Sequence, residues 1–190
     1  MRAASLACTL IMVQVSTLLP VGTFRAGPGD SRVEFVMRDN RGGFVGWTED
    51  VAVAVTVWQA DAETGSAAVE AWVDARTLET GSSLRNAQMR RDFLQTDRYP
   101  FVSFKGVAIS RDRLTGITFR AVLRGSLTIR AITRDLEMPL VITALADEYR
   151  ATGEVTIRLA DYGMRIPRFL FFVAEDVVVV RVRIRLVRSS

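Results

Sequence analysis

The sequence predicts a single all-β domain, closed into a barrel, behind an N-terminal export leader. Three observations predict it. The C-terminal stretch alternates, with Val178, Val180, Val182, Ile184 and Leu186 interleaved by Val179, Arg181, Arg183, Arg185 and Val187. Stretches with the same two-residue period recur along the chain, and only one segment has helical spacing. Finally, the chain opens on an apolar run, from Ala3 to Leu19, behind Met1-Arg2.

That opening run, followed by Pro20, Gly22, Thr23 and Ala26, has the layout of a secretory signal peptide. Ser5, Thr9, Gln14, Ser16 and Thr17 interrupt it, so it falls short of the ~20 predominantly apolar residues of a spanning helix. The expectation is a cleaved leader over residues 1–26, a single domain over 27–190, and a periplasmic or secreted protein with no stable membrane span. Roughly 165 remaining residues are a normal size for one domain with one core.

Strands are expected at Val33 to Met37, Val51 to Trp58, Ala68 to Val73, Phe101 to Ile109, Ile117 to Ile129, Leu136 to Ile142, Arg150 to Leu159 and Val178 to Leu186. They are rich in Val, Ile, Thr and aromatics, which fit a pleated, half-buried surface. Turn signals separate several of them, among them Asp61 to Ser66 and Arg111 to Gly116. Ser82 to Gln95 has helical spacing with Ser82 or Ser83 as N-cap, and Gly163 and Pro167 predict an irregular crossover over 161–174. Pro139 must sit where the ladder needs no donor, at a bulge or an interrupted edge. Many antiparallel strands can build a sandwich or a barrel; the long last strand and the removal of exposed edges favour the barrel.

Composition excludes several functions. The absence of histidine removes the commonest general base, the serine and cysteine triads and most zinc or iron sites. Cys8, the single cysteine, lies in the leader, so the domain has neither a thiol nucleophile nor a disulfide. The formal charge of +4 includes Arg2 and Arg25 of the leader, leaving about +2, and arginines are scattered among acids as in Arg90-Arg91-Asp92. No nucleic-acid partner is expected. A carboxylate-based hydrolase would have Asp92, Asp97, Asp147, Glu148 and Asp161 to draw on, and Ser103 and Lys105 share a strand face, but no motif surrounds either set.

Three stretches carry a family resemblance. The first is Val73 to Gly81, followed by Arg85-Asn86 and Phe93-Leu94-Gln95-Thr96-Asp97-Arg98-Tyr99-Pro100-Phe101. The second is Arg124 to Arg134 and the third Asp161-Tyr162-Gly163-Met164. From about Asp30 to Leu186 the chain resembles the YceI-like proteins, exported lipocalin-like barrels associated with polyisoprenoid binding. Asn86 stands where that family usually has Asp, Ala131 where it has a hairpin Gly, and Trp47 where Phe is commoner.

The resemblance implies an eight-stranded antiparallel lipocalin-like barrel with one short helix in a loop, holding an isoprenoid or similar long apolar lipid, which includes a quinone tail. From composition, no other cofactor, no metal and no catalytic residue are expected. The alternation itself implies an apolar inner face, leaving open whether that face is a filled core or a tunnel. The expected lining is Phe35, Met37, Trp47, Val53, Val55, Val69, Phe104, Leu127, Ile129, Leu136, Met138, Val155, Ile157, Val180 and Val182. Ala52, Ala54, Ala71 and Gly153 would leave space if they point inward. A mouth is expected at Arg85, Asn86, Phe93, Phe169, Phe171 and Phe172. An envelope-stress interaction module without lipid is the other class considered, and a homodimer is left open.

Overall fold

The strands close on themselves, and two of the eight strand positions are each broken in the middle. The computed structural model describes residues 19–40, 42–59, 65–165, 168–169 and 172–189. Strand β1 (Gly22–Ala26) continues into β2 (Arg32–Asp39) across Gly27-Pro28-Gly29-Asp30, where Pro28 lacks a backbone donor and Gly29 takes φ 87°. Likewise β3 (Phe44–Thr48) continues into β4 (Val51–Gln59). These are followed by β5 (Ser66–Asp74), β6 (Phe101–Thr115), β7 (Thr118–Ile129), β8 (Ile132–Ala144), β9 (Glu148–Arg158), a short β10 (Arg168–Phe169) and β11 (Phe172–Arg188).

Each neighbour pair is antiparallel. The ladder runs β4-β5-β6-β7-β8-β9-β11, and β11 then meets β2 at Val178↔Met37 to Arg183↔Arg32 and β1 at Val187↔Arg25 and Arg188↔Phe24. β1 pairs in turn with β4, and β2 with β3, which completes a barrel of eight strand positions. Closure gives each strand position two neighbours, although the β8–β9 ladder is short and leaves Ile132–Pro139 of β8 without a partner on β9.

Several expectations are corrected. Gly22–Ala26, placed in the leader by sequence, is a wall strand: Phe24 is 0% exposed and packs edge-on against Tyr149, ring centroids 4.8 Å apart. The folded domain therefore begins before residue 27. Arg111 to Thr115 is not a turn; β6 runs through it with two register shifts, and only Gly116 and Ile117 connect it to β7. β11 starts at Phe172, inside the predicted crossover, and pairs there with β10 at Phe169↔Phe172. Pro139 fits its expectation: β8 pairs with β9 only from Leu140↔Gly153 to Ala144↔Tyr149, and Pro139 stands just past the end of that ladder.

The expected helix forms as α1 (Ser83–Gln88), capped by the Ser82 hydroxyl accepting the Arg85 N–H, and continues as a π-helical turn over Met89–Leu94. Gln95, at φ 52°, ends it. This segment lies across one end of the barrel. The other end is packed with Leu19, Phe24, Phe119, Tyr149 and Leu186, all buried, and the Tyr149 hydroxyl donates to the Pro20 carbonyl at 2.7 Å.

Candidate functional site: an apolar lumen

The two-residue period puts one face of every strand inside. The inward set includes Val33, Phe35 and Met37 of β2, Val51, Val53 and Val55 of β4, and Val178, Val180 and Val182 of β11. They surround a cavity of about 620 Å³ that runs from α1 toward the packed end. Small inward residues keep it open: Ala67 and Ala71 on β5, Ala108 on β6, Ala121 on β7 and Ala151 on β9. Glycines make room for rings. Gly106 and Gly125 face each other under Phe104, whose Cζ would lie 2.8 Å from a Cβ added at either one. Gly46 serves Phe35 in the same way.

All the residues that the sequence assigned to the lining face this lumen except Trp47. In β3 the inward positions are Phe44, Gly46 and Thr48, so Trp47 points outward, beneath the Arg32 guanidinium at 4.3 Å from its ring, with its backbone bridged to Glu79. Ala71 and Gly153 do point inward; Ala52 and Ala54 lie on the outer face, since they alternate with Val51, Val53 and Val55. Arg85 and Phe93 stand at the lumen's α1 end, together with Phe44, Ser82, Leu84, Gln88 and Met89. Asn86 does not. It is 6% exposed, accepts from the Thr80 N–H at 2.9 Å and hydroxyl at 2.7 Å, donates to Glu79, and so ties α1 to the preceding turn. The side chains of Phe169, Phe171 and Phe172 lie outside the described residues.

Sequence reasoning missed Leu19, Phe44, Phe119, Leu123, Leu140 and Tyr149 as lining. Most of them could have been found by extending each alternation to the full strand. Leu19 could not, because it sits at the end of the apolar leader pattern.

Apart from Asp39 and Arg85 among the lining residues, charge is kept outside. Arg181 pairs with Glu154 at 2.6 Å, Arg185 with Glu148 at 2.8 Å and Arg158 with Asp176 at 2.9 Å. The Asp176 carboxyl is held below its usual range by the Ala160 N–H and then by Arg158. None of the carboxylates considered for hydrolysis lines the lumen, and Lys105 pairs with Glu70 on the surface at 2.8 Å. An apolar inside with a charged outside is the reverse of a membrane-spanning barrel. Among the described residues no helix is long and apolar enough to cross a membrane. Burial pushes the Tyr149 hydroxyl up to about 12, which keeps that group neutral at the packed end.

The family model for the YceI-like domain matches residues 24–186, nearly the whole folded chain. The chain belongs to the YceI-like family. Solved structures agree with this barrel. BcnA of Burkholderia cenocepacia is similar with a TM-score of 0.66 at 17% identity, covering 84% of this chain and 96% of that one. A polyisoprenoid binding domain from Saccharophagus degradans, implicated in plant cell wall breakdown, matches with a TM-score of 0.66 at 13% identity over 90% of this chain and 100% of that one. The YceI protein of Campylobacter jejuni gives a TM-score of 0.58 at 15% identity, covering 80% and 85%. At these identities the likeness shows a shared fold. No curated protein matches the chain in sequence. For a YceI-like domain, the match beginning at residue 24 also sets part of β1 inside the family unit.

Proposed function

We propose that this YceI-like protein is a carrier of an isoprenoid or similar long apolar chain, a quinone tail included, and that it is a binding protein rather than an enzyme. The observation that carries the proposal is the lumen of about 620 Å³ with apolar walls. At the roughly 30 Å³ that one water occupies in the liquid, it has room for about twenty methylene-sized groups. Left dry, a cavity of that size would cost about 15 kcal/mol at ~24 cal/mol per Å³, as much as the whole stability of a typical domain. An apolar chain removes that cost. Burying about twenty carbons at about 0.8 kcal/mol each outweighs an association cost of about 4–15 kcal/mol without any strong polar contact.

Similarity to a solved domain described as polyisoprenoid binding supports the choice of chain. The Met1-Arg2 start and the apolar run after it support export to the periplasm or beyond, with cleavage ahead of Leu19, because Leu19 and Pro20 belong to the packed end.

Native mass spectrometry of the purified protein, followed by organic extraction, tests the proposal. A non-covalent prenyl or long-acyl mass released by solvent is expected. Protein that is ligand-free as isolated and also refuses added prenyl chains would overturn it.

A further inference from the structure

We propose that the packed end of the barrel, opposite α1, docks on an anionic lipid bilayer through the tips of its hairpins; this surface is separate from the lumen and independent of the carrier reading. At the β6–β7 tip, Thr115 pairs with Thr118 across a two-residue turn, Gly116-Ile117. Such turns favour Asn, Asp and Gly. Ile117 nevertheless stands in this one with its side chain exposed, and Leu114, just before it, is exposed as well. The Ile117 carbonyl accepts the Ala144 N–H at 2.9 Å, which fixes this tip beside the β8–β9 turn and its exposed Leu145. Arg188 extends the surface: its N–H donates to the Asp147 carbonyl at 2.9 Å and its guanidinium to the Val21 carbonyl at 2.8 Å, which brings the exposed Val21 alongside. Trp58, 54% exposed, lies one residue beyond the Gly22↔Val57 pair at the same end.

Arginines collar these tips. The β6–β7 hairpin carries Arg111, Arg113 and Arg120 against a single acid, Asp112. Arg111 and Arg120 are exposed, and among the described residues neither side chain has an ion-pair or hydrogen-bond partner; Asp112 stands opposite Arg120 in the ladder without reaching it. Arginines farther along the wall, Arg124, Arg158 and Arg181, each pair with a carboxylate. Arg113 reaches the Gly116 carbonyl at 2.9 Å. Asp147 is paired with Arg188, and Asp61 and Glu63 lie outside the described residues. Apolar side chains on loop tips enter the boundary between headgroups and acyl chains, while cations behind them meet the lipid phosphates. Tryptophan is enriched at that depth. The chain also enters the barrel here, since Leu19 and Pro20 join the packed end directly after the apolar run from Ala3. Docking by this end turns the α1 end of the lumen away from the bilayer.

The test is flotation of the exported, processed protein with vesicles of phosphatidylglycerol and phosphatidylethanolamine, and with vesicles of phosphatidylcholine alone. Partitioning onto the anionic vesicles is expected to be about tenfold or more stronger at low salt, at about fivefold per arginine near the surface, and to fall toward the neutral value as salt shortens the Debye length. Leu114→Asp with Ile117→Asp should weaken binding to the anionic vesicles about tenfold or more. Arg111→Glu with Arg120→Glu should remove the preference for them. All four side chains are exposed, so circular dichroism melts should match the wild type. Folded Ala71→Trp, whose lumen is filled, should float as the wild type does, which separates docking from uptake of lipid into the barrel. Absence of vesicle binding, equal binding to the two compositions, binding that survives the tip substitutions, or its loss in folded Ala71→Trp would each overturn the assignment. So would a wild-type dimer in sedimentation that the tip substitutions break while vesicles go unbound, since the tips would then belong to a second copy of the chain.

Discussion

Two residues mark where this chain departs from the easiest version of its fold. The β7–β8 hairpin turns through Arg130 and Ala131, at φ 53° and 63°, in the left-handed region that favours Asn and Gly. Ala131→Gly should relieve that strain, offset in part by the freer unfolded chain, and raise stability by up to about 1 kcal/mol in urea denaturation. Tyr149 is the second. Its hydroxyl holds the Pro20 carbonyl at 2.7 Å, and Tyr149→Phe should cost about 1–2 kcal/mol by leaving that carbonyl unpaired. The pH dependence has a definite sign. Burial raises the folded-state value from the ordinary 10.0 to about 12, so its contribution is whole below pH 10 and is lost as pH rises toward 12. Alkaline titration of stability should show a downward slope in that window for the wild type and a shallower one for Tyr149→Phe. At this scale the sequence was least legible. Ala131 is an ordinary residue until its φ is known, and Tyr149 reads as one more aromatic until Pro20 is found beside it.

For the elements, legibility followed length. Val178 to Leu186 repeats its period often enough to fix both faces, and the structure puts Val178 and Leu186 in the core and Arg181 and Arg185 in surface ion pairs. Val180→Glu or Ile129→Glu should cost at least about 3 kcal/mol, because each buries an unpaired charge. Arg183→Glu should stay within about 0.5 kcal/mol, since it faces outward opposite Arg32. Thermal melts of the three variants decide whether the faces are assigned correctly. β3 was missed because Gly46 and Thr48 hold its inward positions while Trp47 takes an outward one, so its hydrophobicity runs against its burial. β1 was missed for another reason: its apolar residues follow directly on an apolar leader, and no polar gap separates the two. Removing residues 1–18 should leave a cooperatively folded barrel, and removing 1–26 should abolish folding, because Phe24 and the β1–β4 and β1–β11 ladders go with it. Circular dichroism of the two truncations separates these outcomes.

Over the whole molecule, the barrel and the identity of most inward residues follow from alternation, whereas the presence of a lumen does not. Inward Val and Leu alone would be compatible with a solid core. The space comes from Ala67, Ala71, Ala108, Ala121 and Ala151, and a small residue signals space only once its face is known. Alternation summed over eight strand positions thus predicts which way residues point, and their volumes decide what the barrel can hold. Ala71 faces the lumen on β5 opposite Val53 and Phe104, so filling that position blocks the cavity without touching the rim. The most direct test is titration of geranylgeraniol into the wild type and into Ala71→Trp, with circular dichroism confirming that both are folded. One chain bound per wild-type barrel and none in Ala71→Trp is the expected result; equal uptake by the two proteins would place the ligand outside the lumen and contradict the account.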